Sequence, residues 1–135
     1  MNVREVMTSE NLLTIGEDDT LAAAAHRMTW GKCRHLPVVR DGEVVGILSE
    51  RDLLAWHGKG HRLDGPEDLV RAAMVKPPIV AVADEDLGEV AARMISERIG
   101  GLPVVLHGRL VGMITSSDLL GHIVAQMYTP APDRG

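Results

Sequence analysis

One stretch of this chain occurs twice. Leu36-Pro37-Val38-Val39, Gly42, Val45-Gly46-Ile47-Leu48-Ser49 and Asp52-Leu53-Leu54 return as Leu102-Pro103-Val104-Val105, Gly108, Val111-Gly112-Met113-Ile114-Thr115 and Asp118-Leu119-Leu120. From Leu36 to Leu102 is 66 positions, and 10 of the 19 aligned residues are identical. A repeat this long specifies two structural copies in one chain, and two copies packed together build a cleft between them. The functional argument starts at that cleft.

The openings of the copies also match. Val3-Arg4-Glu5-Val6-Met7 pairs with Val70-Arg71-Ala72-Ala73-Met74 at an offset of 67, one more than the later offset. Short branched segments follow, Leu12-Leu13-Thr14-Ile15 and Ile79-Val80-Ala81-Val82, and their length and composition predict strands. Acidic loops then precede each helix, where negative charge complements the positive helix end and Asp19 or Thr20 is placed to cap it. Leu21, Ala24, Ala25 and Met28 recur at helical spacing, as do Leu87, Val90, Ala91, Met94 and Ile95. The run Ala22 to Ala25 makes the first helix thin on one side, open to close approach. Two strands follow in each copy around Asp41-Gly42 and His107-Gly108, the first a strong tight-hairpin signal. Pro37 and Pro103 suit a strand start or a sheet edge. A second helix closes each copy, and Pro130 and Pro132 stop the last one.

The predicted order per copy is therefore strand, helix, strand, strand, helix, an α/β (α+β) fold. The expected divisions are a first copy at 1–56, a polar Gly-rich linker at 57–69, a second copy at 70–127 and a flexible tail at 128–135. A chain of 135 residues buries a sizeable core, roughly 65–70% of its unfolded surface. With Phe absent, that core is aliphatic, and any planar ligand must sit in a slot of Val, Ile, Leu and Met.

A net charge of −5 disfavours general binding to nucleic-acid backbone. No apolar run reaches the 18 residues that span a bilayer, and the first residues lack a signal-peptide core, so no membrane association is expected. Cys33 is the sole cysteine, which excludes an internal disulfide and points to a reducing cytoplasm. It reads as a small apolar filler rather than a nucleophile, because no partner set surrounds it in sequence. His57 and His61 are four apart, but Gly58 and Gly60 argue against a helical metal pair, and no metal site is expected. His26, His107 and His122 join no constellation.

Chemistry concentrates where a strand becomes a helix, at Ser49-Glu50-Arg51-Asp52 and Thr115-Ser116-Ser117-Asp118. Each motif reads in two ways. A hydroxyl followed three residues on by an acid is a capping box that satisfies backbone donors. The same geometry offers an anion the N–H groups and partial charge of a helix N-terminus, while the carboxylate accepts the two hydroxyls of a ribose. Gly46 and Gly112 permit close approach of backbone and ligand.

Both motifs lie inside a full copy with Leu-Pro-Val-Val ahead of them, and the chain opens on Val-Arg-Glu-Val-Met-Thr at 3–8. In this it resembles the cystathionine-β-synthase (CBS) domain, which occurs in tandem as a Bateman module; the resemblance covers residues 3 to 127. It implies two repeats packed through their sheets with pseudo-two-fold symmetry. It also implies a non-catalytic regulatory sensor that binds adenosine compounds (AMP, ADP, ATP, or S-adenosylmethionine or a dinucleotide) and requires no cofactor beyond such a ligand. One cleft would use Thr115, Ser116 and Asp118, with Thr8 and Leu13 around the base and Arg34 and His35 near the phosphate. The other would use Ser49 and Asp52, facing Val80, Gly100 and Gly101. The cation and imidazole of the first cleft, against two glycines in the second, lead to the expectation that the Asp118 cleft prefers phosphorylated ligands. The resemblance further implies a two-fold homodimer and an unidentified regulated protein. Leu54 and Trp56, and Leu120, Ile123, Val124 and Met127, are the candidate contact residues. A structural assembly module with vestigial clefts is the competing reading.

Overall fold

The computed structural model describes residues 1–128. Of the tail expected at 128–135, only Tyr128 falls among them, and the two helix-stopping prolines lie outside the described residues. The first copy contains β1 (Ile15–Gly16), α1 (Leu21–Gly31), β2 (His35–Arg40), β3 (Glu43–Ser49) and α2 (Glu50–Gly58). The second contains α3 (Val70–Ala73), β4 (Ala81–Val82), α4 (Leu87–Glu97), β5 (Gly101–Leu106), β6 (Arg109–Thr115) and α5 (Ser116–Met127). Each copy forms a three-stranded sheet, β1-β2-β3 and β4-β5-β6, and β3 meets β6 and β5 across the seam.

The ladders repeat residue for residue. β1 runs parallel to β2 with Ile15 opposite Val38, and β4 runs parallel to β5 with Ala81 opposite Val104. Pro37 and Pro103 stand at neither a strand start nor a sheet edge but third in the central strands β2 and β5; they lie just ahead of the parallel pairings, so neither removes a donor that the outer strand uses. Both hairpins turn on a pair of positive-φ residues, Asp41 and Gly42 at 53° and 81°, His107 and Gly108 at 51° and 78°, the geometry that matches strand twist.

The outer strands are shorter than the branched segments suggest. Ahead of β1, the Thr14 carbonyl accepts a hydrogen bond from Arg27 of α1. Ahead of β4, the Val80 carbonyl accepts from Arg93 Nη1 at 3.1 Å. A guanidinium thus takes the place of a neighbouring strand. These equivalences also correct the sequence alignment of the two segments. The offset has already returned to 66 at β1, so Leu13 corresponds to Ile79 and Thr14 to Val80.

Thr20 caps α1 by accepting from the Ala23 amide, and Asp86 caps α4 through Glu89. Asp19 instead binds the Gly16 amide at 2.8 Å. Both helices end on a left-handed residue, Lys32 and Arg98, where glycine is more usual.

The openings are exchanged between the copies. Val3 is fully buried in the second core, among Val90, Leu102, Val104 and Ile114, and its amide bonds Glu85. Val70 is fully buried in the first, with Leu21, Leu36, Val38 and Leu48. Each opening ends by pairing with the far copy's hairpin strand. Thr8 and Met113 trade both backbone hydrogen bonds at 2.8 and 2.9 Å, and Val75 and Ile47 do the same at 2.9 and 3.1 Å.

Residues 57–69 are more than a spacer. The Leu63 carbonyl accepts from the Ala22 amide, so the segment that approaches the alanine-thinned helix is the chain's own connector. Asp68 is fully buried and accepts from the Trp56 indole at 3.0 Å and the Gly65 amide at 2.9 Å. Trp56 also stacks on His61, with ring centroids 4.2 Å apart. Trp56 is therefore turned toward its own copy, contrary to its expected place on a dimer face. The other candidate contact residues, Leu54, Leu120, Ile123, Val124 and Met127, are exposed.

Gly46 and Gly112 do permit a close approach, but of the exchanged openings rather than of a ligand. A Cβ on Gly112 would lie 2.6 Å from Met7 Sδ and 2.9 Å from the Thr8 carbonyl oxygen. Replacement Gly112→Ala is expected to destabilise the fold by about 1–3 kcal/mol, the usual cost of overpacking. Urea denaturation checks this, and an unchanged midpoint would show that the opening is not clamped there.

Candidate functional site

Two cavities open at the seam, one at each strand-to-helix motif. The cavity beside Asp52 has a volume of about 490 Å³, and the one beside Ser116 and Thr115 about 680 Å³. Both fall in the range of small-molecule sites. The apolar slot of the Asp52 cleft is made by Ile47, Leu54, Val75, Ile79 and Ile99. That of the Asp118 cleft is made by Leu12, Leu13, Met113, Cys33 and Gly31.

The helix starts are capping boxes in full. Asp52 Oδ2 accepts from the Ser49 amide at 2.8 Å and from its hydroxyl at 2.9 Å, while Ser49 Oγ accepts from the Asp52 amide. Asp118 Oδ2 holds the Thr115 amide and hydroxyl at 2.9 and 3.0 Å in the same way. The first helical amides are also engaged, Glu50 with the Arg34 carbonyl and Ser116 with the Gly100 carbonyl. Much of the helix-end donor set is thus spent on structure. What these motifs present to the clefts is chiefly the side chains around them.

The remaining carboxylate oxygens differ. Asp118 Oδ1 accepts a hydrogen bond from Thr8 Oγ1 at 2.8 Å, and Asp118 does not line its cavity. Asp52 lines the other cavity, and its Oδ1 has no hydrogen-bond partner among the described residues. Val75 occupies the position equivalent to Thr8 and carries no hydroxyl.

Thr8, Leu13, Arg34, His35, Thr115 and Ser116 line one cleft together, while Ser49, Asp52, Gly100 and Gly101 line the other. Val80 does not line the Asp52 cleft; Ile79, the true counterpart of Leu13, stands there instead. The expected contrast in charge rests on too few residues. Arg34 and His35 line both cavities, and the Asp52 cleft also has Arg51, Arg98 and the opposing charge of Glu50. Lys32 supplies the added cation of the Asp118 cleft. Lys32 and Arg98 are the left-handed caps of α1 and α4, and the 66-residue offset alone pairs them in the sequence.

Arg34 and His35 reach both clefts because their counterparts are Gly100 and Gly101. A Cβ on Gly101 would meet His35 Cγ at 3.1 Å, and one on Gly100 would meet Cε1 at 3.2 Å. The imidazole fills the space those glycines leave. Burial pushes the His35 pKa down, Asp52 opposes this, and the Arg34 and Arg51 guanidinium groups add to the depression. Burial likewise raises the pKa of the Cys33 thiol, which is the direction of an inert side chain rather than an activated nucleophile.

Among the described residues no helix is long and apolar enough to cross a membrane, and no group of three His, Cys, Asp or Glu residues is disposed to hold a metal ion.

The repeated fold agrees with the family comparison. The CBS domain family model matches residues 3–58 and 68–125, and the chain belongs to that family. A CBS domain-containing protein of Dictyostelium discoideum is 33% identical over 140 residues, covering 96% of this chain and 95% of that protein. An inosine-5′-monophosphate dehydrogenase of Thermoplasma acidophilum is 32% identical over 117 residues, 86% of this chain but 22% of that enzyme. Among solved structures, a Vibrio cholerae protein assigned to acetoin utilization superposes with a TM-score of 0.85 at 31% identity, covering 94% of each chain. A CBS domain pair crystallised with 5′-methylthioadenosine and S-adenosyl-L-methionine superposes with a TM-score of 0.83 at 26% identity, covering 93% of this chain and 98% of that one.

The lowered pKa of His35 has a definite sign in stability. As pH falls below the ordinary value of 6.5, the unfolded chain takes up the proton before the folded one does. Stability from this group is full above that pH and is lost on acidification toward the folded pKa. Denaturation midpoints from pH 7 to about 5 should fall less steeply in His35→Gln than in the original chain. Identical slopes would remove His35 as the cause.

Proposed function

We propose that this chain is a non-catalytic regulatory module that senses an adenosine-type ligand in the clefts between its CBS repeats. The observation that carries this reading is the composition of each cleft. In each an aliphatic slot adjoins a hydroxyl-bearing helix start and at least two cationic side chains, and in one of them Asp52 adds a carboxylate. That order of surfaces suits a base, a sugar and a phosphate or sulfonium end. The related CBS pair crystallised with two adenosyl compounds supports the same ligand class.

A ligand held by both repeats favours whichever arrangement of them closes the cleft, and it acts on a partner through that preference. The exposed apolar residues Leu54, Leu120, Ile123, Val124 and Met127 support a second copy of the chain as the first partner, with a regulated protein beyond it.

Thermal unfolding with AMP, ADP, ATP and S-adenosylmethionine tests the proposal. At a hundredfold excess over Kd, a true ligand adds about 2.7 kcal/mol and raises the melting temperature. A panel that leaves the melting temperature unmoved at millimolar concentration would favour the assembly-module reading instead.

A further inference from the structure

We infer that the two clefts are unequal toward a ribose, that the Asp52 cleft is the stronger site, and that Thr8 sets the difference. The inference rests on the adenosine reading above and adds which cleft is filled and what decides it.

The two repeats provide their own control. At equivalent positions on the exchanged openings stand Thr8, backbone-paired to Met113, and Val75, backbone-paired to Ile47. Thr8 donates its hydroxyl to Asp118 Oδ1 at 2.8 Å, and the inner oxygen of the same carboxylate is held by Thr115. Both oxygens are engaged within the protein, and Asp118 is not among the residues that line the cavity. Val75 has nothing to donate, so Asp52 keeps Oδ1 free on the wall of its cavity.

A free carboxylate oxygen beside an aliphatic slot accepts hydrogen bonds from a vicinal diol. A ribose entering the Asp118 cleft must share Oδ1 with the Thr8 hydroxyl, and a charge-assisted bond of this kind weakens the acceptor left to the diol. The cations differ in kind rather than in net charge. Arg98 and Arg51 join Arg34 at the Asp52 cleft, where Glu50 opposes them, and Lys32 joins Arg34 at the other; arginine grips phosphate with two parallel donors. The inferred order is opposite to the preference expected from the sequence.

Calorimetric titration with AMP, and with 2′,3′-dideoxy-AMP as the diol-free control, tests the inference. The original chain should show one tight and one weaker AMP site. Thr8→Val places at position 8 the residue the fold already holds at position 75. It should strengthen the weaker site roughly tenfold, the gain expected on freeing one such hydrogen bond. Val75→Thr should weaken the tight site by a similar factor. The dideoxy compound should respond to neither change. Two equal sites in the original chain, or affinities unmoved by both substitutions, overturn the inference while leaving the adenosine reading intact. No AMP heat with any of the three proteins overturns both.

Discussion

The exchange of openings holds this molecule together. Neither copy is complete alone. The first core needs Val70 and its neighbours from beyond the connector, and the second needs Val3 from the very start of the chain. Each exchanged segment ends in two backbone hydrogen bonds to a hairpin strand of the other copy, and a glycine on that strand leaves room for it. The seam is therefore covalently tied, hydrogen-bonded and packed at once. The clefts inherit their walls from it, since Thr8 and Val75 are the last residues of the two exchanged segments and face opposite cavities.

Much of this was legible in the sequence because the signals are local. Hairpin turns and helical spacing depend on neighbours in the chain, and the duplication allowed each to be read twice. The short outer strands were not legible in the same way. Their missing pairings are taken by Arg27 and Arg93, a full helix away, and nothing in the branched segments announces that. Trp56 misled for a similar reason. An indole on a short helix reads as exposed until a buried carboxylate twelve residues later, Asp68, accepts its N–H.

The candidate site divides along the same line. The capping motifs were visible from spacing, as was the grouping of Thr8, Arg34 and His35 near one helix start through the family resemblance. The sharing of Arg34 and His35 between clefts was not visible, because it follows from where the pseudo-two-fold axis passes rather than from any motif. Lys32 and Arg98 escaped notice because a basic residue at a helix end ordinarily only complements the dipole. Here the left-handed cap turns the chain there, and both residues line the cavities.

His35 against Gly100 and Gly101 has one more consequence. Residues related by the internal axis compete for the same volume. Two identical half-chains assembling around that axis would bring two imidazoles together where the fold has space for one. Fusion of the halves into a single polypeptide lifts that restriction, because a bulky residue on one side can be answered by glycine on the other. The lopsided centre of this molecule is thus available to a tandem chain and closed to a symmetric pair of its parts.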